Sequence, residues 1–454
     1  MKPVHRRICE DIARAAEDRG GRAFYVGGCV RDELLGRSCL DTDIEIHGID
    51  PGDLEEILSR IAPCREVGRS FGIYTLGGEG SGIDVALPRR EVSTGEGHRD
   101  YRIEIDPRAG EEESARRRDF TVNAMMKDVL TGEVLDFFGG REDLSLRRLR
   151  HVDEASFVSD PLRVFRAAQF CARFGFSLDE ETVSLCRGMA VGALSAERVR
   201  EELFKALDGS ASPSVFFDVL ARCAHLGEWF GEVASLRGVP QDPLYHPEGD
   251  VYTHTMMVLD AAAELKQQSC DPLCFMLSAL CHDLGKADTT AEKNGRIHAY
   301  SHEESGCVFA KALLERLRCS NSQLRYVLNM VKLHMKPAAE AAACSKLKKT
   351  NRMFYDSVCP ADLVLLAEAD YRGCGGTLNY FPHGAFLRER LARFEQIMAE
   401  PPVSGRDLIE AGAAPGEEFS EYLDYALKLK LAGEDRASQL RQTLAYIRRR
   451  KLEQ

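Results

Sequence analysis

Apolar positions recur at a helical interval over residues 4–19, and then the period shortens. Arg22–Val26 reads as a strand, Val30–Leu35 as a short helix, Ile44–Ile46 as a strand and Asp53–Ile61 as a helix. Further β-like runs follow at Gly72–Leu76, Ile83–Leu87 and Tyr101–Ile105, punctuated by Gly77-Gly78, Gly80 and Gly82. This pattern predicts an α/β head built on one sheet. From about residue 150 only the helical interval remains. Pro161 suits the first turn of a helix reaching Phe174, and Ser195 stands where a helix cap is wanted. Helices are expected from there to the end, broken at 209–213, 238–250, 337–345 and 400–404. The fold class is therefore α+β, a small mixed sheet followed by helices alone.

Length and composition sharpen this picture. A chain of 454 residues exceeds one ordinary core and predicts two to four domains. No run of 18 apolar residues occurs, which argues against a membrane span, and the first residues, Met-Lys-Pro-Val-His-Arg-Arg, lack an apolar signal core. Fifteen cysteines without a C-x-x-C pair fit reduced thiols in a cytoplasmic protein. The net charge of −12 argues against a broadly basic coat for non-specific nucleic-acid binding. Local basic tracks remain at Arg116–Arg118, Arg147-Arg148, Arg150, Arg198, Arg200 and Arg448–Lys451. For the last of these a solvated helix face is the simpler reading.

Two constellations carry candidate chemistry. In the first, Tyr25-Val-Gly-Gly-Cys-Val-Arg-Asp32 precedes Asp41-Thr-Asp43. Gly27 and Gly28 let backbone N–H groups approach an anion, and Arg31 opens the following helix. On a strand, Asp41 and Asp43 face the same way, as a pair of Mg²⁺ ligands beside phosphates would. Asp84, on a neighbouring strand, is either a third carboxylate of that site or half of a structural salt bridge. The second constellation is His254, His282-Asp283, His302, His334 and Asp370. His282-Asp283 ends an apolar run, where imidazole and carboxylate need ligation or hydrogen bonds.

Four motifs occur in a telling order: Gly27-Gly-Cys-Val-Arg-Asp32, Asp41-Thr-Asp43, Arg117-Arg-Asp-Phe-Thr-Val-Asn123 and Asp160-Pro-Leu-Arg163. They resemble those of the class II tRNA nucleotidyltransferases, the CCA-adding enzymes, which share them with bacterial poly(A) polymerases in the DNA polymerase β superfamily. The resemblance implies a polymerase-β-like nucleotidyltransferase head in which Asp41 and Asp43 hold two Mg²⁺ ions. It further implies that Arg117, Arg118, Asp119 and Asn123 bind the incoming CTP or ATP, with Asp119 suited to accept from the ribose 2′-OH. Asp160 and Arg163, three apart on a helix, share a face. One supplies acceptors and the other donors, which complements the edges of C and A but not of U and G. The simpler alternative is a helix ion pair. The family usually has Glu before this Asp; here Ser159 takes its place, which touches only a helper contact or cap. Residues 89–106, with Gly95, Gly97, His98 and Tyr101, resemble the mobile loop of members that add the terminal A.

The second constellation resembles the HD phosphohydrolases, in which His254, His282, Asp283 and Asp370 would bind a divalent transition metal or Mg²⁺. His302 and His334 would assist a second metal or the substrate phosphate. The implied division is a head over 1–149, a helical neck and body over 150–236, an HD domain over 237–385 and a tail over 386–454. The implied activity is addition of C, C and A to the tRNA 3′ end from CTP and ATP, releasing pyrophosphate. An HD cyclic phosphodiesterase or phosphatase activity accompanies it. The tRNA acceptor end is the partner, no membrane or stable protein partner is implied, and a homodimer is compatible. The rivals are a poly(A) polymerase, an A-adding enzyme, or an HD hydrolase with a nucleotide-sensing head.

Overall fold

The computed structural model describes residues 1–39, 41–66, 72–93, 101–374 and 381–453. It forms two compact units, one of Met1–Leu194 with Asp218–His225 and one of Ser195–Phe217 with Leu226–Gln454.

The first unit is built on a seven-stranded sheet. Its strands are β1 (Arg22–Val26), β2 (Thr42–His47), β3 (Cys64–Glu66), β4 (Ile73–Leu76), β5 (Ile83–Ala86), β8 (Met126–Asp128) and β9 (Val134–Leu135). They lie in the order β3-β4-β5-β2-β1-β8-β9. β2 runs antiparallel to β1 and parallel to β5, so the sheet is mixed as expected. Phe24, Val26, Ala115, Ala124 and Met126 form a core cluster against it. One expectation fails. Tyr101–Ile105 (β7) pairs only with β6 (Arg89–Ser93), as a hairpin separate from the main sheet. The main sheet instead gains β3, β8 and β9, runs of two or three residues too short for alternation to be read. Gly95, Gly97 and His98, part of the expected loop, lie outside the described residues. After a further parallel pair, β10 (Arg148–Leu149) with β11 (Ser177–Leu178), the unit is helical. The Leu162–Phe174 helix begins after Pro161 and ends at Gly175, whose φ of 67° forms a left-handed cap.

The second unit is a helical bundle with one exception to the expected helices-only pattern. Strands β12 (Thr290–Lys293) and β13 (Arg296–Ala299) form an antiparallel hairpin. Asn294 and Gly295 turn it with φ of 55° and 72°, both positive as a two-residue type I′ turn requires. The break expected at 337–345 is also displaced. Met335–Ala342 is helical, with Pro337 in the first turn, where it has no carbonyl partner to lose. Ser195 occupies the cap position of the Ala196–Gly209 helix, but its hydroxyl makes no cap bond.

Two helices of this bundle approach unusually closely. A Cβ on Gly373, at the end of the Pro360–Gly373 helix, would stand 2.3 Å from Val258 Cγ2 and 2.8 Å from the Val258 nitrogen, on the Val251–Leu265 helix. One turn away on each helix lie Asp370 and His254. Among the described residues, no helix is long and apolar enough to cross a membrane.

Candidate functional site

In the first unit, β2 presents Asp41, Asp43 and Glu45 to one face by strand alternation, Asp41 lying just ahead of the strand. Parallel pairing of β2 with β5 places Asp84 opposite Asp43. Thr75 on β4 donates to Asp84 at 2.7 Å, which fixes its rotamer. Gly27 adopts φ 69°, and a Cβ there would meet Arg118 Nη1 at 3.0 Å, so the glycine both makes the turn and leaves room for the guanidinium. Arg118 is held 3.6 Å from Glu45. Burial pushes the Asp43 carboxyl above its usual range; Arg118 opposes this, while Asp84 and Asp41 push further up. Three carboxylates at one end of the β2–β5 pair, two of them pushing the third up, fit a hard divalent cation. Among the described residues, no three of these head carboxylates bring ligand atoms within 4.8 Å of one another.

Behind this edge runs a buried network. Arg31 is turned inward, donating to Asn123 Oδ1 at 2.6 Å and to Asp32, with its guanidinium 4.3 Å from the Phe174 ring. Asn123 donates to Asp119 Oδ1 at 3.0 Å, and Arg166 donates to Asp119 Oδ2 at 2.7 Å. Asp119, expected as an acceptor for ribose, thus already receives Asn123, Arg166 and its neighbouring Phe120 N–H. Burial works against its charge, but Arg166 and Asn123 hold it below the ordinary carboxylate range. The Asp160/Arg163 expectation is also modified. Asp160 precedes the helix and its Oδ1 accepts from the Leu162 N–H at 3.1 Å. Arg163, on the first turn, donates to the carbonyls of Ser156 (2.7 Å) and Arg117 (2.8 Å). Asp160 thus stands at the helix start, with Arg163 on its first turn. Ser159, exposed, donates back to the Ser156 carbonyl.

The second unit gathers all six residues of the other constellation, which its elements deliver separately. Asp250 caps the Val251–Leu265 helix one turn ahead of His254, and Asp271 caps the Pro272–Cys281 helix that ends at His282. His302 begins one helix and His334 ends another. His254 Nε2 lies 3.1 Å from Asp370 Oδ1 and 3.4 Å from His282 Nε2. His302 Nε2 lies 3.1 Å from His334 Nε2. Asp283 spans both pairs. Its Oδ2 is 3.3 Å from His282 Nε2, and its Oδ1 is 3.3 Å from His302 Nε2 and 3.6 Å from His334 Nε2.

The ring orientations test whether cations fit here. His282, His302 and His334 each direct Nδ1 to the carbonyl three residues earlier, Ala279, Ala299 and Val331. His254 Nδ1 faces Glu248 Oε1 at 2.8 Å. With Nδ1 carrying the proton in every ring, the Nε2 lone pairs point at one another and at carboxylates. Buried acceptors so arranged repel unless a cation lies among them, and this donor set suits divalent metals. Without an ion, and against the pull of burial, hydrogen bonds that His254 makes to Asp370, Cys374 and Glu248 raise it well above its ordinary value. Lys286 and His282 hold Asp283 far below its own against the same opposition.

Sequence reasoning missed several participants. Glu45 was legible, since Asp41-x-Asp43-x-Glu45 continues one alternation. Lys286, 2.6 Å from Asp283 Oδ2, follows it by one helical turn and was equally accessible. Arg166 and Glu248 gave no local signal, because their partners arrive from distant segments or through a loop.

Comparison with known proteins places a family match on each half of the chain. Residues 23–150 match the poly A polymerase head domain, and residues 251–372 match the HD domain. A multifunctional CCA protein of Nitrosococcus oceani is 35% identical over 408 residues, covering 88% of this chain and 95% of that one. Another, from Xanthomonas campestris, is 36% identical over 433 residues, covering 93% and 100%. The fold resembles that of the Bacillus stearothermophilus CCA-adding enzyme in complex with CTP, with a TM-score of 0.71 at 24% identity over the whole of both chains. The chain therefore belongs to the multifunctional CCA protein family.

Proposed function

We propose that this protein is a tRNA nucleotidyltransferase that adds C, C and A to the tRNA 3′ end from CTP and ATP, releasing pyrophosphate, and that its HD centre is a phosphohydrolase. The observation that carries the first part is the register of β2 on β5, which sets Asp43 beside Asp84 next to the Gly27 turn. We assign the head to 1–149, the neck and body to 150–236, the HD domain to 237–385 and the tail to 386–454.

In the head, Asp41 and Asp43, with Asp84 alongside, would hold two Mg²⁺ ions, and the chemistry these would supply is activation of a hydroxyl nucleophile and charge stabilisation on a leaving pyrophosphate. The chain's own groups do the rest. Gly27 and Gly28 bring backbone N–H groups toward the triphosphate, and Arg118, tethered by Glu45, offers its fork to phosphate oxygens. Arg31, Asp119 and Asn123 act as a buried frame for the nucleotide site. Arg117 contributes its carbonyl to anchoring Arg163. Asp160 and Arg163 then present an acceptor and donors that match C and A. U or G there would leave buried groups unpaired, at about 1–3 kcal/mol each.

At the HD centre, divalent cations held by His254, His282, Asp283 and Asp370, with His302 and His334 at a second position, would supply an activated water for attack at phosphorus. Glu248 and the backbone carbonyls fix the rings, and Lys286 neutralises part of the Asp283 charge. That the relatives are multifunctional CCA proteins supports joining the two activities in one chain.

The test uses tRNA transcripts ending at the discriminator base, at C and at CC, supplied with single nucleotides and mixtures, with products weighed by mass spectrometry. Stopping after C-C-A is expected; stopping after one A or running on with A would replace the reading. Asp41→Ala should abolish addition while hydrolysis of phosphate esters persists, and retained addition would refute its metal role.

A further inference from the structure

Beside the HD centre lies a set of donors that the orientation of its rings does not use up. His246, Glu248, His254 and Cys374 each bring a ligand atom within 4.8 Å of the others. Glu248 Oε1 meets both imidazoles, His246 Nδ1 at 2.9 Å and His254 Nδ1 at 2.8 Å. Its other oxygen, Oε2, has no hydrogen-bond partner among the described residues, although the side chain is only 2% exposed. A buried carboxylate oxygen left unpaired is costly and marks a place for a cation. Cys374 follows Gly373, so the close crossing with Val258 brings its thiol toward the helix that carries His254. Cys374 Sγ stands 3.9 Å from His246 Nδ1. Metal–sulfur and metal–nitrogen bonds of about 2.3 and 2.0 Å at a tetrahedral angle set such a pair about 3.5 Å apart, so a small side-chain movement closes the set.

We propose that His246 Nδ1, Glu248 and Cys374 Sγ form a thiolate-containing site for a borderline-soft divalent ion such as Zn²⁺, separate from the HD centre. His254 keeps its Nδ1 proton and its bond to Oε1, while Oε2 serves the ion, so Glu248 joins the two centres. One carboxylate and one thiolate neutralise the dication, the Cys374 proton leaving to solvent as the ion enters. His246 and Cys374 both line a cavity of about 580 Å³, which gives the ion a route from solvent and a water for its fourth position. Sulfur separates the preference of this site from that of the HD centre, whose donors are nitrogen and oxygen alone. The site holds its ion whether or not the HD centre hydrolyses an ester.

Full-length protein, stripped with a chelator and kept reduced with a phosphine, is titrated with Co²⁺. A cobalt–thiolate bond gives a near-ultraviolet charge-transfer band that nitrogen and oxygen ligands do not give. Wild type should show the band, and added Zn²⁺ should bleach it. Cys374→Ser and Cys374→Ala should each lose the band and one bound equivalent of metal by elemental analysis, with circular dichroism unchanged. His246→Ala should lose the band at the cobalt concentration that saturates wild type. Asp283→Asn, which weakens the HD centre, should keep it. A wild type without the band overturns the site. So does a band that survives His246→Ala, or one that survives the Cys374 variants, since another of the fifteen cysteines then supplies the sulfur. Loss of the band in Asp283→Asn would put Cys374 on the HD ion and overturn a separate site.

Discussion

Each imidazole of the HD centre is oriented through Nδ1, but only His254 uses a carboxylate for this. Glu248 Oε1 also meets His246 Nδ1 at 2.9 Å, and its side chain is almost wholly buried. An anionic partner makes an imidazole a stronger ligand than a carbonyl does. Glu248→Gln keeps the size and one hydrogen bond while removing the charge. Metal affinity should fall about 10- to 100-fold, read by competition with a coloured chelator, with circular dichroism unchanged. Single residues also show the limits of sequence reading. His282-Asp283 stood out because it ends an apolar run, whereas His254 and Asp370 were singled out only through the resemblance to HD phosphohydrolases. Glu248 was not, since it lies in the irregular stretch ahead of the helix and nothing in its neighbours marks it. Asp119 was read as a ligand acceptor because its chemistry allowed that, while the arginine that occupies it comes 47 positions later.

The helices deliver chemistry by how closely they pack. Gly373 against Val258 leaves no space for a methyl group, and because the Val258 nitrogen is among the atoms in the way, trimming the valine side chain cannot relieve it. Gly373→Ala should destabilise the protein by about 1–3 kcal/mol in urea unfolding and part His254 from Asp370, so that metal affinity falls as well. An unchanged midpoint and affinity would show that the helices yield freely. The sequence disclosed the helices themselves but not this crossing, because Tyr-Arg-Gly at a helix end reads equally well as a simple stop. At the scale of strands, β1 was readable to the residue. The β12–β13 hairpin was missed although Asn294-Gly295 is a strong turn signal, because Thr-Ala-Glu-Lys carries a single apolar residue and Arg-Ile-His-Ala alternates over only four positions.

At the scale of the whole chain, each unit contains its own charged centre, with no residue in common. Asp283→Asn should therefore abolish phosphate-ester hydrolysis and reduce metal loading of the HD centre, while C-C-A addition continues at the wild-type rate. Both assays run on one preparation, and parallel loss of addition would contradict the independence of the two chemistries. The order of motifs along the chain already carries this dual organisation. What remained hidden was the spanning position of Asp283, since adjacency of His282 and Asp283 in sequence suggests one shared ligand set, whereas the carboxylate reaches two histidine pairs at once.

Three of the four HD imidazoles lean on a carbonyl only three residues upstream, and the fourth on a side chain six residues upstream. Their aim is thus settled by short-range geometry before distant segments meet. A metal ion arriving from solvent finds lone pairs already converging, so loading should proceed without a slow rearrangement, and the rings should keep their rotamers when the ion is stripped away.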